Sequence, residues 1–244
     1  MMQVPICSTV KPTWKRLHRL FLSGNYRSIT RSLQYEHLEA LKFEGRLLDV
    51  GGGDIADYRG ILDCQSYESL NINPGMEPSF LVEAGTDFGE VAGLDEAFDC
   101  VLSMNTFEHV LDAETLLQSI VKTLRDGGQF YAATPFLYPV HGSPDDFFRP
   151  TASWWFRVLS RNGFKDIDIT PLIWGPFSTG VLCSGLPGPL KKYRMLLALI
   201  LDLFYVKLKF RGDANIDRFK GQSLQNFALG YFVKAQKGTG ASKL

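Results

Sequence analysis

The most constraining feature of the sequence is a short apolar segment that runs directly into three glycines. Residues 45–50 read Gly-Arg-Leu-Leu-Asp-Val, and Gly51, Gly52 and Gly53 follow at once. A short apolar run next to a turn predicts a buried strand, and glycines permit a sharp turn and close approach of a ligand to the backbone. In open α/β sheets, ligands bind outside the carboxyl ends of the strands. The two features together predict a strand followed by a ligand-binding loop.

Segments typical of strands and segments typical of helices alternate along the rest of the chain. Strand patterns occur at 66–72, 80–83, 98–104, 129–134, 164–170 and 227–235, and helix patterns at 113–125 and between Pro150 and Gly163. Alternation of this kind predicts a parallel sheet with helices on both faces. We therefore expect an α/β fold with a doubly wound, mostly parallel sheet.

The length of 244 residues suits one α/β domain with additions. Residues 1–43 are predicted to form a helical N-terminal extension, and residues 44–244 the domain itself. A loop at 135–150 and an apolar insertion at 171–225 interrupt the alternation, and the insertion precedes the last predicted strand.

The charge and cysteine content argue against several classes of protein. Acidic and basic residues number 26 each, and a chain with no positive excess is not expected to bind nucleic acid. The cysteines Cys7, Cys64, Cys100 and Cys183 are far apart, which argues against a zinc site or a disulfide framework and fits a reducing, cytoplasmic compartment. No metal site is predicted, and the first 22 residues lack the apolar core of a signal peptide.

The glycine loop, considered alone, also matches a second cofactor pattern. Gly51-x-Gly53-x-x-Ala56 fits the relaxed dinucleotide fingerprint, which requires an acidic residue about 20 positions later. That region offers Asn71, whose amide binds a ribose hydroxyl less strongly than a carboxylate does. An NAD(P)-dependent oxidoreductase therefore stays open as an alternative.

Three motifs, in order, resemble those of a known enzyme class. Residues 48–53 resemble motif I of the class I S-adenosylmethionine-dependent methyltransferases, and residues 98–110 resemble the fourth-strand signature of their type 11 branch. Residues 124–128 resemble the turn before the fifth strand of that class. The resemblance implies a seven-stranded, Rossmann-like methyltransferase fold, an enzyme, and S-adenosylmethionine as the cofactor. A non-catalytic protein that retains this fold is a third alternative.

The resemblance also implies which residues bind the cofactor. Asp49 and the glycine loop are expected to hold its methionine end, and Asn71 stands where the family has an acidic residue for the ribose. The implied residues lie at or just after the ends of successive strands: Asp49, Gly51, Gly52, Gly53, Asn71, Ile72, Asp87, Phe88, Ser103 and Asn105. Of these, Asp87 and Phe88 are expected near the adenine, with Glu83 as the alternative to Asp87. Ser103 and Asn105 are expected beside the sulfonium. Glu108 and His109, which follow the fourth strand, are expected to be structural.

The loop at 135–150 brings ionisable side chains together among aromatic residues. Methyl transfer to a hydroxyl requires removal of a proton, and a histidine with a pKa near neutrality suits this role. We expect His141 to be the base, with Asp145 or Asp146 orienting it or gripping the substrate. Arg149 is expected to pair with an anionic substrate group. The alternative is that Asp146 and Arg149 pair to fold the loop while His141 caps a turn.

The same loop carries the pattern Pro-Phe…His-x-x-Pro-x-Asp-Phe-x-Arg. This pattern resembles loops of type 11 methyltransferases encoded with bacterial polysaccharide and surface-glycan genes. The resemblance implies O-methylation of a hydroxyl on a sugar, a sugar phosphate or another small molecule, in surface glycan biosynthesis.

The insertion contains an apolar stretch at 195–210 flanked by basic residues. It is shorter than the roughly 20 apolar residues that a membrane-spanning helix needs. Basic residues beside an apolar helix favour contact with a membrane surface, so residues 191–211 are a candidate peripheral membrane contact. The alternatives are a buried lid helix and a dimer contact.

Overall fold

The computed structural model describes residues 9–23, 27–91, 93–142, 145–185, 188–211, 216–217 and 223–240. The helices are α1 (Trp14–Leu17), which continues as a π-helical turn (His18–Leu22), α2 (Ile29–Leu38), α3 (Ala113–Thr123), α4 (Ala152–Arg161), α5 (Pro176–Cys183) and α6 (Lys191–Lys209). The strands are β1 (Lys42–Val50), β2 (Asp63–Asn71), β3 (Phe80–Leu81), β4 (Phe98–Met104), β5 (Leu124–Pro135), β6 (Phe164–Leu172), β7 (Phe210–Arg211), β8 (Ile216–Asp217) and β9 (Gly230–Lys237). Cys7 lies outside the described residues.

The described chain divides into two compact units. The sheet unit comprises the described residues within 37–134, 142–169 and 232–244. The helical unit comprises those within 1–36, 135–141 and 170–231, and it contains α5 and α6. The division predicted from the sequence, with a boundary after residue 43, stays a prediction.

The sheet has seven strands in the described chain, in the order β3-β2-β1-β4-β5-β9-β6. β1 pairs in parallel with β2 and with β4, and β4 pairs in parallel with β5. β9 runs antiparallel to β6, since the amide of Gly238, just after β9, donates to the carbonyl of Gly163, just before β6, at 2.9 Å. The predicted seven-stranded, mostly parallel α/β fold is confirmed.

The strand order creates a topological switch point at the carboxyl end of β1. From β1 the chain continues outward to β2 and β3, and it then crosses to β4 on the other side of β1. Ligands of open α/β sheets bind at such points, where successive loops leave the sheet in opposite directions. The glycine loop at 51–53 follows β1 directly, so it lies at this edge of the sheet.

The boundary between α3 and β5 differs from the one that the sequence pattern predicts. The predicted helix continues to Arg125, but α3 ends at Thr123 because Leu124 already has extended backbone, with φ −77° and ψ 138°. The turn expected at 126–128 therefore lies inside β5, where Gly127 has a φ of 78°. A glycine in this conformation produces an irregularity within the strand instead of a turn before it.

The insertion and the last strand also differ from the predicted bounds. The alternation of apolar and basic residues at 206–211 is compatible with a strand, but only Phe210–Arg211 are extended because α6 continues to Lys209. The last strand begins at Gly230, later than predicted, because Leu224–Phe227 form a 3-10 turn. No helix in the described part of the chain is long and apolar enough to span a membrane.

Aromatic packing fixes α4 against the sheet. Trp155 of α4 is fully buried, and its ring lies 4.9 Å from the ring of Phe107, centroid to centroid. Its indole Nε1 donates to Thr134 Oγ1 of β5 at 3.2 Å, which satisfies the one polar atom of the ring. Because Phe107 begins the turn after β4, this contact also fixes the position of that turn at the carboxyl edge of the sheet.

In the helical unit, α6 supplies the N-terminal cap of α5. The carboxylate of Asp202 accepts hydrogen bonds from the backbone amides of Phe177 at 2.9 Å and Ser178 at 2.8 Å. These amides lie in the first turn of α5 and have no partner within the helix. The fully buried Asp202 is thus explained by its structural role.

A buried lysine of β9 closes the C-terminal end of α3. Lys237 is almost completely buried, and its Nζ donates to the carbonyls of Val121 at 2.9 Å and Leu124 at 2.6 Å. Helix carbonyls at this end lack partners within the helix and interact favourably with a positive charge.

We expect Lys237→Met to lower the free energy of unfolding by roughly 1–3 kcal/mol, because both carbonyls lose their donor while remaining buried. Urea unfolding measures the change. Lys234→Met, at an exposed position of the same strand, is the control and should change stability by less than about 0.5 kcal/mol. Equal effects of the two substitutions would contradict the capping role.

Candidate functional site

The glycine loop has no room for side chains. A Cβ atom added at Gly51, where φ is 90°, would lie 2.1 Å from Thr106 Oγ1, and one added at Gly52 would lie 1.9 Å from Asp49 Oδ2. A Cβ atom at Gly53 would lie 2.0 Å from the carbonyl oxygen of Met76. Glycine is therefore required at all three positions by the surrounding protein.

Asp49 is held beneath the loop by two tyrosines. Its carboxylate is fully buried and accepts hydrogen bonds from the hydroxyls of Tyr58 and Tyr67, each at 2.9 Å to Oδ2. Burial raises the pKa of Asp49 to about 6, although both tyrosines and the charge of Arg59 lower it. The Tyr67 hydroxyl also lies 3.2 Å from the carbonyl of Gly53, so the carboxylate and the loop share one hydrogen-bonded network. The sequence pattern gave no sign of the tyrosines.

Asn71 binds the glycine loop itself. Its Nδ2 donates to the carbonyls of Gly51 and Gly52, each at 2.8 Å, and its Oδ1 accepts from the amide of Asn73 at 3.0 Å. A carboxylate cannot donate hydrogen bonds, so this arrangement gives a physical reason for an amide where the family has an acidic residue. Contact of Asn71 with a ribose stays a prediction, as does contact of the half-exposed Ile72.

Asp87 lies in an ion pair with α3. Its carboxylate accepts from Lys122 Nζ and from Ser119 Oγ, both at 2.7 Å, and from the amide of Gly89 at 3.1 Å. The lysine is the largest cause of a lowered pKa at Asp87. These contacts fix the turn that contains the buried Phe88 against α3. The predicted roles of Asp87, Phe88 and the exposed Glu83 at the adenine are not tested by these contacts.

The end of β4 is bound directly to the glycine loop. Ser103 Oγ and Thr106 Oγ1 both donate to the carbonyl of Val50, at 3.1 and 3.2 Å. Asn105 lies between them with a φ of 53°, and its amide donates to the carbonyl of Ala133 at 2.8 Å. Left-handed backbone at a residue other than glycine is uncommon and often occurs at functional sites. The predicted pocket residues Ser103 and Asn105 therefore adjoin the loop.

The 3-10 turn after β4, Phe107–His109, anchors part of the predicted acceptor loop. The carbonyl of Glu108 accepts from the amide of Phe147 at 2.8 Å, and His109 Nδ1 lies 2.5 Å from the carbonyl of Asp145. Sequence reasoning treated Glu108 and His109 as structural. Both residues closely follow β4 at the edge of the sheet where ligands bind. This position is the sequence signal that favours a role for them in ligand binding.

Two predicted acceptor residues of this loop pair with each other. Asp146 and Arg149 form a two-pronged ion pair in which Nη2 lies 2.5 Å from Oδ2. This ion pair matches the alternative stated for the loop, in which Asp146 and Arg149 pair with each other and stabilise the fold of the loop. Asp145 contributes its carbonyl to His109, and the neighbouring residues 143–144 lie outside the described chain.

His141 belongs to the helical unit. Its Nδ1 lies 3.3 Å from the carbonyl of Pro139, and its ring lies 5.2 Å from that of Tyr138 in an edge-on arrangement. A proton on Nδ1 in this hydrogen bond leaves the proton-accepting lone pair on Nε2. The geometry therefore suits the tautomer that a general base requires.

The methionine end of S-adenosylmethionine fits the glycine loop. The amides of Gly52 and Gly53 donate no hydrogen bond to the described residues, although both glycines are buried. Unpaired buried amides at a strand end are natural donors for a carboxylate. This loop at the switch point is therefore the part of the chain that fits the cofactor, with Asp49 and Asn71 holding it in place.

We expect Gly51→Ala to weaken binding of S-adenosylmethionine by about tenfold or more, because left-handed backbone and the contact with Thr106 force the loop to move. Calorimetric titration measures the affinity. Gly60→Ala is the control, since a Cβ atom there meets nothing within 4 Å. Unchanged affinity in a folded Gly51→Ala variant would exclude the loop from the cofactor site.

Comparison with known proteins identifies the family. The model of a methyltransferase domain matches residues 17–165, more than half of the chain. Phosphoethanolamine N-methyltransferase 2 of Haemonchus contortus, solved in complex with S-adenosyl-L-methionine, aligns at 16% identity with a TM-score of 0.49, over 92% of this chain and 56% of that enzyme. The YcgJ protein of Bacillus subtilis aligns at 15% identity with a TM-score of 0.48, over 86% of this chain and 99% of that protein.

The chain thus spans 56% of the length of the Haemonchus enzyme. A search of curated protein sequences finds no match. The match over residues 17–165 and the seven-stranded sheet show that the chain belongs to the methyltransferase-domain family of class I enzymes, whose cofactor is S-adenosylmethionine.

Proposed function

We propose that the chain transfers a methyl group from S-adenosylmethionine to a hydroxyl of a sugar, a sugar phosphate or another small molecule, in cytoplasmic steps of surface glycan biosynthesis. The observation that carries the methyl-transfer part is the glycine loop at the switch point of a methyltransferase-family sheet, where the amides of Gly52 and Gly53 donate to none of the described residues. The acceptor class is supported by the resemblance of the loop at 135–150 to those of glycan-modifying relatives.

The proposed reaction is a direct displacement. S-adenosylmethionine, when bound, supplies an electrophilic methyl group. The acceptor oxygen forms a bond to the methyl carbon, the carbon–sulfur bond breaks, and its electron pair stays on sulfur, giving S-adenosylhomocysteine. The proton of the hydroxyl goes to Nε2 of His141, whose Nδ1 is held near the carbonyl of Pro139. Alignment of the acceptor is the main task of such an enzyme.

A second proposal concerns the exposed face of α6. Apolar side chains lie along this face with 43–71% of their surface exposed: Tyr193, Leu197, Leu201, Phe204 and Leu208. The opposite face, which includes Met195 and Leu203, is buried. Large exposed apolar patches mark interaction surfaces.

Basic residues flank this face at both ends: Lys191, Lys192 and Arg194 before it, and Lys207 and Lys209 near its end. An apolar stripe with basic neighbours matches an anionic lipid surface, where apolar burial and electrostatic attraction act together. We propose that α6 binds the surface of an anionic membrane, consistent with a lipid-linked glycan as substrate.

We expect His141→Ala to lower kcat by about a hundredfold or more, because the acceptor then lacks its base, while the affinity for S-adenosylmethionine stays unchanged. Transfer of a radiolabelled methyl group to hexoses and hexose phosphates measures kcat. His18→Ala, at an exposed histidine of the helical unit, is the control.

The affinities for S-adenosylmethionine, S-adenosylhomocysteine and NAD are measured in parallel by calorimetric titration. Asp49→Ala is the variant that should lose binding of the first two. Binding of NAD alone would favour an oxidoreductase. Binding of neither, by a folded protein, would favour a non-catalytic protein. Full activity of His141→Ala would exclude His141 as the base.

We expect the protein to sediment with vesicles that contain phosphatidylglycerol and not with vesicles of phosphatidylcholine alone. The double variant Leu197→Ser, Phe204→Ser should abolish binding because it removes the exposed apolar area. Leu111→Ser, at an even more exposed apolar position in the sheet unit, is the control. A dimer without lipid that the double variant dissociates would indicate a dimer contact instead.

A further inference from the structure

Inside the sheet unit, the carboxyl group of Glu108 has no hydrogen-bond partner among the residues that the structure describes. Glu108 has no exposed surface, and neither of its carboxyl oxygens accepts a hydrogen bond of normal geometry from the described residues. Burying a polar group without a partner opposes folding. A group that served only the fold is expected to have a partner, as Asp49 and Asp202 do. Since none of the described residues supplies a hydrogen-bond partner, the carboxyl fits contact with a bound ligand.

The charged and titratable groups of the sheet unit that face Glu108 are His109 on its own turn and Asp146 and Arg149 on the following loop. His109 Nε2 lies 3.8 Å from Glu108 Oε1, beyond hydrogen-bond distance. Arg149 is engaged on both prongs by Asp146, so the two charges largely cancel. Within the sheet unit, the Asp146–Arg149 pair therefore presents little net charge to Glu108.

The pKa of Glu108 is raised to about 8, chiefly by burial, although its own backbone amide and Arg149 lower it; Asp146 is a smaller raising cause. The carboxyl is therefore mostly protonated at neutral pH. A protonated carboxyl both donates and accepts one hydrogen bond, as does a hydroxyl group. A protonated carboxyl and a hydroxyl can therefore bind each other through hydrogen bonds, and neither group carries a charge.

The position of Glu108 favours contact with the methyl acceptor. Two residues earlier, Thr106 Oγ1 bonds the carbonyl of Val50, and a Cβ atom at Gly51 would meet the same oxygen. On the other side, the Glu108 carbonyl accepts from Phe147 of the loop predicted to bind the acceptor. Glu108 thus lies in the short segment of the sheet unit that connects Thr106, which adjoins the glycine loop, to the backbone contact with the acceptor loop.

We propose that the Glu108 carboxyl binds the methyl acceptor through hydrogen bonds to a hydroxyl of an uncharged part of that molecule. This inference rests on the proposed function and deepens it, because it assigns an acceptor-binding residue and favours neutral sugars over sugar phosphates at this point. Phosphate and carboxylate groups are disfavoured since the adjacent Arg149 is already paired.

The test compares Glu108→Gln and Glu108→Leu with the wild type. Methyl transfer is measured with uncharged hexoses and deoxyhexoses and with the matching hexose phosphates. We expect the wild type to methylate uncharged sugars and Glu108→Leu to raise KM for them roughly ten- to a hundredfold, while Glu108→Gln, whose amide also donates and accepts, changes KM only a few-fold and the Kd of S-adenosylmethionine stays unchanged in both. Glu39→Gln, an exposed glutamate of the same unit, is the control.

Stability separates this role from a structural one without any acceptor. The folded-state pKa of Glu108 lies above the ordinary 4.5, so ionisation increasingly destabilises the folded protein as the pH rises from about 4.5 towards 8. Relative to the wild type, Glu108→Leu should therefore be at least as resistant to urea at pH 8. A binding residue is expected to trade stability for function in this way.

Each contrary result has a distinct meaning. Loss of stability in Glu108→Leu at pH 8 would show a structural carboxyl and overturn the inference. Methylation of hexose phosphates alone, or an unchanged KM in Glu108→Leu, would overturn it while the proposed function stands. Methyl transfer to none of these compounds, by a protein that binds S-adenosylhomocysteine, would overturn both.

Discussion

The hydrogen bonds that fix the backbone of the glycine loop are the constraint on which the candidate site depends. The Asn71 amide, at the end of β2, donates to two of its carbonyls, and Ser103 in β4 and Thr106 just after β4 donate to the carbonyl that precedes the loop. The loop therefore joins the ends of three neighbouring strands. Because the loop backbone is fixed before any ligand arrives, little conformational entropy remains to be lost on binding.

The sequence predicted the strands and the loops that follow them, because these features depend on the order of residues along the chain. The apolar run before Gly51 and the uninterrupted run of β4 correctly predicted two central strands and the edge where their loops meet. The direction of a side chain does not follow from such patterns. Contact of Asn71 with a ribose stays a prediction, and the pattern does not show that its amide donates to the loop or that the carboxylate of Asp87 accepts from Lys122, a residue 35 positions away. Such long-range partners become visible only when the fold is known.

Two buried carboxyl groups near the loop differ in what surrounds them. Asp49 is surrounded by hydroxyl donors, which account for its burial, and its network extends to the carbonyl of Gly53. Glu108 has no such donors among the described residues. Burial raises the pKa of both groups, so the size of a pKa shift alone does not separate a structural carboxyl from a binding one. The hydrogen-bond partners make that distinction.

The buried Lys237 has a consequence for how the protein folds. Its ammonium group closes the end of α3 from a strand 113 residues later in the chain, at the bond to Leu124. The last turn of this helix therefore gains its cap only after a distant segment has entered the sheet. Contacts between residues so far apart slow folding, because a long loop must close before they form. We expect α3 to fray in folding intermediates and to become protected from amide exchange only together with β9.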